Sequence, residues 1–159
     1  MRIVRFAFQG KIKYGLLQEK SVKGLRGSPF SHFKHSNSTF SLDGSTYRID
    51  KLKLLPPCLP SKIVGIGRNY RSHIEEMKSA IPPVPLIFLK PTTAVVGPDE
   101  KIILKHLTNR VDYEGELGVV IGKKAKDVPE DRARDSLGLK EWGQGTTTGP
   151  LLRVPNILT

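Results

Sequence analysis

The sequence predicts an α+β chain that is mostly β, with a small N-terminal domain ahead of a larger second one. Three observations carry that reading. Apolar residues recur in short runs bounded by Gly, Pro, Asn and Asp rather than in long helical stripes. Only two segments, 72–80 and 129–136, have helical character. Pro56, Pro57 and Pro60 crowd into five residues, which disfavours helix and marks an extended connector. The small domain is therefore 1–56, and the second begins at Ser61 and runs to 159, with residues 139–159 atypical.

Taken in order, Ile3, Phe6 and Phe8 alternate loosely with Arg2 and Arg5, and Gly10 leads into 11–17 with Ile12, Tyr14, Leu16 and Leu17. Two strands around a Gln9-Gly10 turn make a hairpin. Residues 21–50 are rich in Ser, Gly and Lys and read as loop with short elements, including a turn centred on Asp43-Gly44. Beyond the prolines, 62–66 reads as a buried strand and 67–70 as a turn. Residues 72–80 read as a short helix with Ser72 as N-cap, and 86–89 as a second strand. Further strands are expected at 92–96, 101–104 and 113–121. Residues 129–136 open with Pro-Glu-Asp, the composition of a helix N-terminus.

The chain has 159 residues, with 26 Lys+Arg against 15 Asp+Glu and a formal net charge of +11. The excess is concentrated in residues 1–56, which hold 11 basic and 3 acidic residues. A basic segment attracts anions, but charge speaks of partners rather than fold. No zinc finger, RNP signature or long basic run accompanies it, so a nucleic-acid partner is disfavoured. The apolar runs are too short to span a bilayer, and the first residues lack the apolar stretch of a signal peptide. The single cysteine, Cys58, excludes an internal disulfide framework and a cysteine-based zinc site. A cytoplasmic location is the expectation.

The chemistry starts at Glu114 and Glu116. They are two apart in an expected strand, so both carboxylates share a face. Like charges so placed are tolerable when a cation lies between them, and oxygen ligands favour Mg²⁺, Mn²⁺ or Ca²⁺ over zinc. The same spacing also suits a solvent-facing strand edge with acidic gatekeepers. His73 and Glu76 are three apart in a helix-like segment and share its face. A carboxylate beside an imidazole orients it and raises its basicity, as activation of water requires. An ordinary surface pair has the same spacing.

Three motifs then carry a resemblance: Ser61-Lys-Ile-Val-Gly-Ile-Gly-Arg-Asn-Tyr-Arg-Ser-His-Ile-Glu-Glu-Met, Pro85-Leu-Ile-Phe-Leu-Lys-Pro, and Arg110-Val-Asp-Tyr-Glu-Gly-Glu-Leu-Gly-Val-Val-Ile-Gly-Lys. Together they resemble the fumarylacetoacetate hydrolase family. Met1-Arg-Ile-Val-Arg-Phe and Lys13-Tyr-Gly-Leu-Leu are similar to the small N-terminal domain of microbial members. The resemblance runs from residue 1 to about Gly138. It implies a partial catalytic domain of mixed β-sheets rolled around the active site, usually in a homodimer. It also implies Mg²⁺ or Mn²⁺ held by three carboxylates and a small 2-oxo acid or 1,3-dioxo acid substrate. Acylpyruvates, fumarylpyruvate and 2-hydroxyhepta-2,4-diene-1,7-dioate are examples, processed by C–C hydrolysis or isomerisation. Glu114 and Glu116 match the first two metal ligands, and His73 and Glu76 the water-activating dyad on a lid. Lys90 matches a lysine near the metal. Arg68 and Asn69 match the loop before the lid helix, where substrate binds.

The family pattern places a third metal-ligating aspartate near Gly145, where this sequence has none. Asp131 and Asp135 lie too early, in the expected helix. The second half of the family's catalytic domain is also missing from the sequence. The competing expectation is therefore a truncated, inactive member, or one half of a split enzyme.

Overall fold

The computed structural model describes residues 2–32, 40–103, 115–121 and 124–136. Described residues up to Pro57, with those from Val96 onward, form one compact unit, and Cys58–Val95 form another.

The first unit is built on five antiparallel strands: β1 (Arg2–Phe8), β2 (Lys11–Gln18), β3 (Ser21–Leu25), β4 (Leu42–Arg48) and β5 (Lys53–Leu55), in the order β4-β3-β2-β1-β5. The expected β1–β2 hairpin is present. Phe8 pairs with Lys11 across Gln9 and Gly10, whose φ values of 49° and 74° give the two-residue turn the backbone twist a hairpin needs.

The segment read as loop with short elements is instead largely strand. β3 follows β2 after a tight turn at Glu19, and β4 pairs with β3 through a bulge. Residues 43–45 oppose Gly24 alone, so Asp43-Gly44 is a bulge inside a strand and not a separate turn.

Tyr47 of β4 explains the sheet's curvature. Three strand spacings separate β4 from β1, about 14 Å in a flat sheet. Yet the Tyr47 ring lies 5.1 Å from Phe6 and 4.9 Å from Phe8, both on β1. The sheet therefore curls until its near-edge strands touch. Gly15 and Gly24 pair directly on the two intervening strands and leave the concave face without side chains at that point. A Cβ on Gly15 would collide with Val22, and one on Gly24 with Ser45 and Asp43. Phe6 and Val22, both at 0% exposure, fill the interior.

On the opposite face Tyr14 meets Phe30 edge-on, Phe30 lying in the single α-turn α1 (Pro29–His32). Arg5 is buried there and donates from Nη1 to the Pro56 carbonyl at 3.3 Å.

The second unit pairs β6 (Ile63–Gly67) with β7 (Leu86–Lys90), antiparallel, with bounds close to expectation; β6 is not the buried strand expected, since none of its residues is buried and Val64 is 55% exposed. Helix α2 (Arg71–Glu76) lies between them in sequence. It is shorter than expected and starts a residue earlier. Tyr70, not Ser72, holds the N-cap position, with no side-chain cap. Lys78 at φ 50° ends the turn that follows the helix.

Two more expectations are corrected. Thr92–Ala94 is a single 3-10 turn, not a strand, because Pro91 at φ −65° caps it and a bond from Ala94 N–H to Pro91 O closes it. The described residues of the expected strands at 101–104 and 113–121 form no ladder beyond one bridge at Ile121. Leu104, Tyr113 and Glu114 lie outside the described residues. The helical expectation at 129–136 is met by a 3-10 helix, Glu130–Ser136, with Glu130 and Asp131 in its first turn. The chain is thus α+β and mostly β.

Candidate functional site

β6 delivers the chain to Arg68 and Asn69. Arg68 has φ 52°, and both residues are exposed. A non-glycine residue held in this sparsely populated region is a feature of tight turns and ligand loops. Here it redirects the backbone from the strand into α2. Ile74, at 4% exposure, is the buried residue of that helix. With Ile74 facing inward, neighbouring positions on the helix face outward.

His73 and Glu76 lie one turn apart. His73 Nδ1 is 3.8 Å from a Glu76 oxygen, with side-chain exposures of 35% and 82%. That separation is an ion-pair distance and is too long for a hydrogen bond. Because Glu76 stands in solvent, water screens its influence on the imidazole.

Lys90 ends β7. It pairs with Ile63, at the far end of the ribbon from Gly67 and the Arg68-Asn69 turn. It is half-buried, with its Nζ 5.7 Å from the Phe88 ring centroid. The Phe88 ring lies against Gly65, where any Cβ would strike it. That glycine allows the aromatic side chain to cover its strand partner.

Glu116 is half-buried in an extended stretch. Gly115, Leu117, Val119 and Ile121 are exposed and Glu116, Gly118 and Val120 half-buried, so period-two alternation persists without a ladder. A Cβ on Gly115 would meet nothing within 4 Å. Glu114 lies outside the described residues. Among the described residues no three His, Cys, Asp or Glu side chains converge. The carboxylate of Glu116 suits a hard divalent cation in kind, but the described donors do not complete a coordination sphere.

One polar cluster escaped the sequence reading. Lys13 Nζ donates to Asp43 at 2.9 Å and to the Tyr47 hydroxyl at 2.7 Å. Asp43 also accepts from the Ser45 hydroxyl and from Ser45 N–H. The Ser45 hydroxyl and then Lys13 hold the Asp43 carboxyl down at about 2. The Tyr47 hydroxyl raises the Lys13 ammonium, assisted by Asp43, and Lys13 in turn lowers Tyr47. The four residues come from β2 and β4, and Gly24 leaves the space they occupy. The only sequence signal was Asp43, Ser45 and Tyr47 at alternate positions.

A curled antiparallel sheet, followed in sequence by a glycine-rich strand, a tight turn and a short helix with a His/Glu pair, defines a class of mostly-β proteins. Comparison with known proteins makes this specific. Residues 62–138 match the family model described as fumarylacetoacetate (FAA) hydrolase C-terminal, and residues 1–57 match Rv2993c-like, N-terminal. The chain belongs to the fumarylacetoacetate hydrolase family.

Protein Rv2993c of Mycobacterium tuberculosis is 37% identical over 142 residues, covering 86% of this chain and 52% of the relative. A mitochondrial oxaloacetate tautomerase of Arabidopsis thaliana, FAHD1, is 45% identical over 78 residues, 49% of this chain and 35% of the relative. The solved structure of 2-hydroxyhepta-2,4-diene-1,7-dioate isomerase from Mycobacterium marinum superposes with a TM-score of 0.69 at 32% identity. It covers 86% of this chain and 50% of that one. The chain therefore spans about half, or less, of the length of these relatives. Among the described residues no helix is long and apolar enough to cross a membrane.

Proposed function

We propose that this chain carries the N-terminal part of a metal-dependent hydrolase or isomerase acting on 2-oxo or 1,3-dioxo acids of the acylpyruvate and dioate type. The observation that supports the reading best is the His73–Glu76 pair, seated on a helix that follows the strained Arg68-Asn69 turn. Family membership gives that pair its chemical meaning. The named tautomerase and isomerase relatives point to chemistry at an enolisable oxo acid.

His73 is the proton acceptor, and Glu76 its positioning residue. An imidazole oriented by a carboxylate at Nδ1 presents Nε2 to water or to an acidic C–H of the substrate. Arg68 and Asn69 supply donors for a substrate carboxylate, Arg68 through its planar fork. Lys90 contributes a positive charge, and the half-buried Glu116, with Glu114, is assigned to metal binding. A bound Mg²⁺ or Mn²⁺ supplies Lewis-acid polarisation of the oxo-acid oxygens. Homodimeric assembly and cytoplasmic residence belong to the same proposal.

The test is calorimetric titration of the folded chain with Mg²⁺ and Mn²⁺, beside Glu116→Gln, followed by assays on acylpyruvates and oxaloacetate with His73→Gln as control. Micromolar binding lost in Glu116→Gln, with turnover lost in His73→Gln, supports the reading.

A second reading rests on the coverage of about half of the relatives. On it the chain has family ancestry but is inactive alone. Absence of metal binding in a sample shown folded by circular dichroism supports this second reading and refutes the first.

A further inference from the structure

Asp43-Gly44 is the one Asp-Gly pair in the sequence. In such a pair the aspartate side chain closes readily on the backbone, because glycine puts no side chain in the way of its own nitrogen. The Gly44 nitrogen bonds to Asp43 Cγ and a Cγ–O bond breaks. The amide proton and the carboxyl's hydroxyl leave together as water. Water then opens the five-membered succinimide ring at either carbonyl. Opening at Cγ restores aspartate. Opening at the main-chain carbonyl leaves isoaspartate, with the chain running through the former side chain and one methylene longer.

Two features of the structure pull in opposite directions here. The backbone is open. Gly44 is exposed at φ 84°, with nothing within 4 Å of where a Cβ would stand, and it lies in the bulge of β4, at the end of the sheet. The carboxyl is tied. One oxygen of Asp43 accepts from Ser45 N–H at 2.8 Å and from the Ser45 hydroxyl, and the other accepts from Lys13 Nζ at 2.9 Å. Both oxygens are engaged in a side chain only 22% exposed. Swinging Cγ onto the Gly44 nitrogen breaks these bonds. The same partners keep the carboxyl ionised, held at about 2 against an ordinary 3.8, so the protonated form that expels water is more than about tenfold scarcer than in a free chain.

We propose that Asp43-Gly44 is a latent isoaspartate modification site, and that Lys13 and Ser45 are the guard that keeps it unreacted. The consequence of reaction falls on the curl of the sheet. An extra methylene in β4 displaces Ser45 and Tyr47 along the strand, and Tyr47 is the residue that meets Phe6 and Phe8 on β1. The site shares no residue with the proposed catalytic set, and its readout is covalent, so it stands or falls independently of activity.

The test incubates the full chain at neutral pH and physiological temperature, beside a synthetic peptide of residues 35–48. Endoproteinase Asp-N cleaves before aspartate and not before isoaspartate, so lost cleavage between Leu42 and Asp43 measures the reaction, and fragmentation mass spectrometry places it at residue 43. Isoaspartate should form at least about tenfold more slowly in the folded chain than in the peptide. Lys13→Met, which releases one charge-assisted bond, should speed the folded chain at least about fivefold. Lys11→Met removes an exposed cation from the same strand and should leave the rate unchanged.

Circular dichroism checks that Lys13→Met is folded. If it is not, Ser45→Ala, which releases only the hydroxyl bond, takes its place, and the comparison of chain with peptide needs no variant at all. A chain that isomerises as fast as the peptide overturns the proposal. So does a folded guard variant that isomerises no faster than the parent.

Discussion

Gly15→Ala is the sharpest test of how the N-terminal sheet is built. Gly15 sits on β2 directly opposite Gly24, on the concave face of the sheet. A Cβ there would collide with a Val22 methyl, sit 2.8 Å from the Lys23 carbonyl oxygen and lie 3.3 Å from Phe6. Two effects compete. Alanine in place of glycine removes freedom from the unfolded chain, worth about 0.4–1 kcal/mol where the native backbone tolerates it. Overpacking a filled interior costs about 1–3 kcal/mol. Here the obstacles are a backbone carbonyl in the ladder and two side chains at 0% exposure, none of which can move cheaply. The clash wins, and a net loss of about 1–2 kcal/mol is expected. The assay is urea denaturation followed by circular dichroism, with Gly67→Ala as control. At Gly67 the nearest atom to a new Cβ is Leu86 Cβ at 3.4 Å, an ordinary contact. A Gly15→Ala chain as stable as the parent would refute the curled sheet.

Three further outcomes follow from the same geometry. Phe6→Ala, at a fully buried position in contact with Tyr47, should cost about 3–5 kcal/mol in the same denaturation assay. The Asp43 carboxyl, held at about 2 against an ordinary 3.8, contributes stability that is present above the ordinary value and is lost as pH falls toward 2. NMR titration should find Asp43 ionised at pH 3, and Lys13→Met should move its midpoint upward. A midpoint near 4 in the parent would remove the cluster from the account. Arg5→Met should leave the denaturation midpoint unchanged or raised. Among the described residues the Arg5 guanidinium bonds one carbonyl and faces no carboxylate, so a hydrophobic replacement recovers its desolvation cost. A drop of more than about 2 kcal/mol would reveal an acidic partner.

The sequence made some elements plain and hid others for physical reasons. The β1–β2 hairpin was legible because Gln9-Gly10 supports the positive φ values a two-residue turn needs. β6 and β7 were legible as apolar runs. β4 was hidden because its inward positions are not aliphatic, and β3 because Val22 is followed on that face by Gly24. On β4 the half-buried positions are Asp43, Ser45 and Tyr47; Gly24 stands opposite residues 43–45 and Val22 opposite Tyr47. A face built to bend and to hold a Lys13 network has the composition of a loop. At 113–121 the alternation was real, since it survives in the exposure of residues 115–121, but alternation does not supply a partner strand. The His73–Glu76 pairing was readable from i,i+3 spacing. Lys90, Arg68 and Asn69 were singled out through the family resemblance alone, because no local pattern marks them.

The ribbon register also constrains how those cations cooperate. Lys90 pairs with Ile63, while Arg68 follows Gly67 at the other end of β6. Four residue steps of strand separate the ends, about 13 Å of backbone. Backbones so far apart allow contact between the two side chains only if both extend along the ribbon toward each other. Lys90 leans along the ribbon over the Phe88 ring, which lies against Gly65, and this covers only part of the distance to Arg68. On the proposed function, the two cations should therefore meet different parts of an extended oxo-dioate, and their contributions should be independent. Groups more than 7–10 Å apart with no shared partner add to within about 0.3–0.5 kcal/mol. In a reconstituted enzyme, Lys90→Met and Arg68→Met should thus lower kcat/KM by factors that multiply in the double variant. A double variant no worse than the poorer single one would place both side chains on the same substrate group and overturn this division of labour.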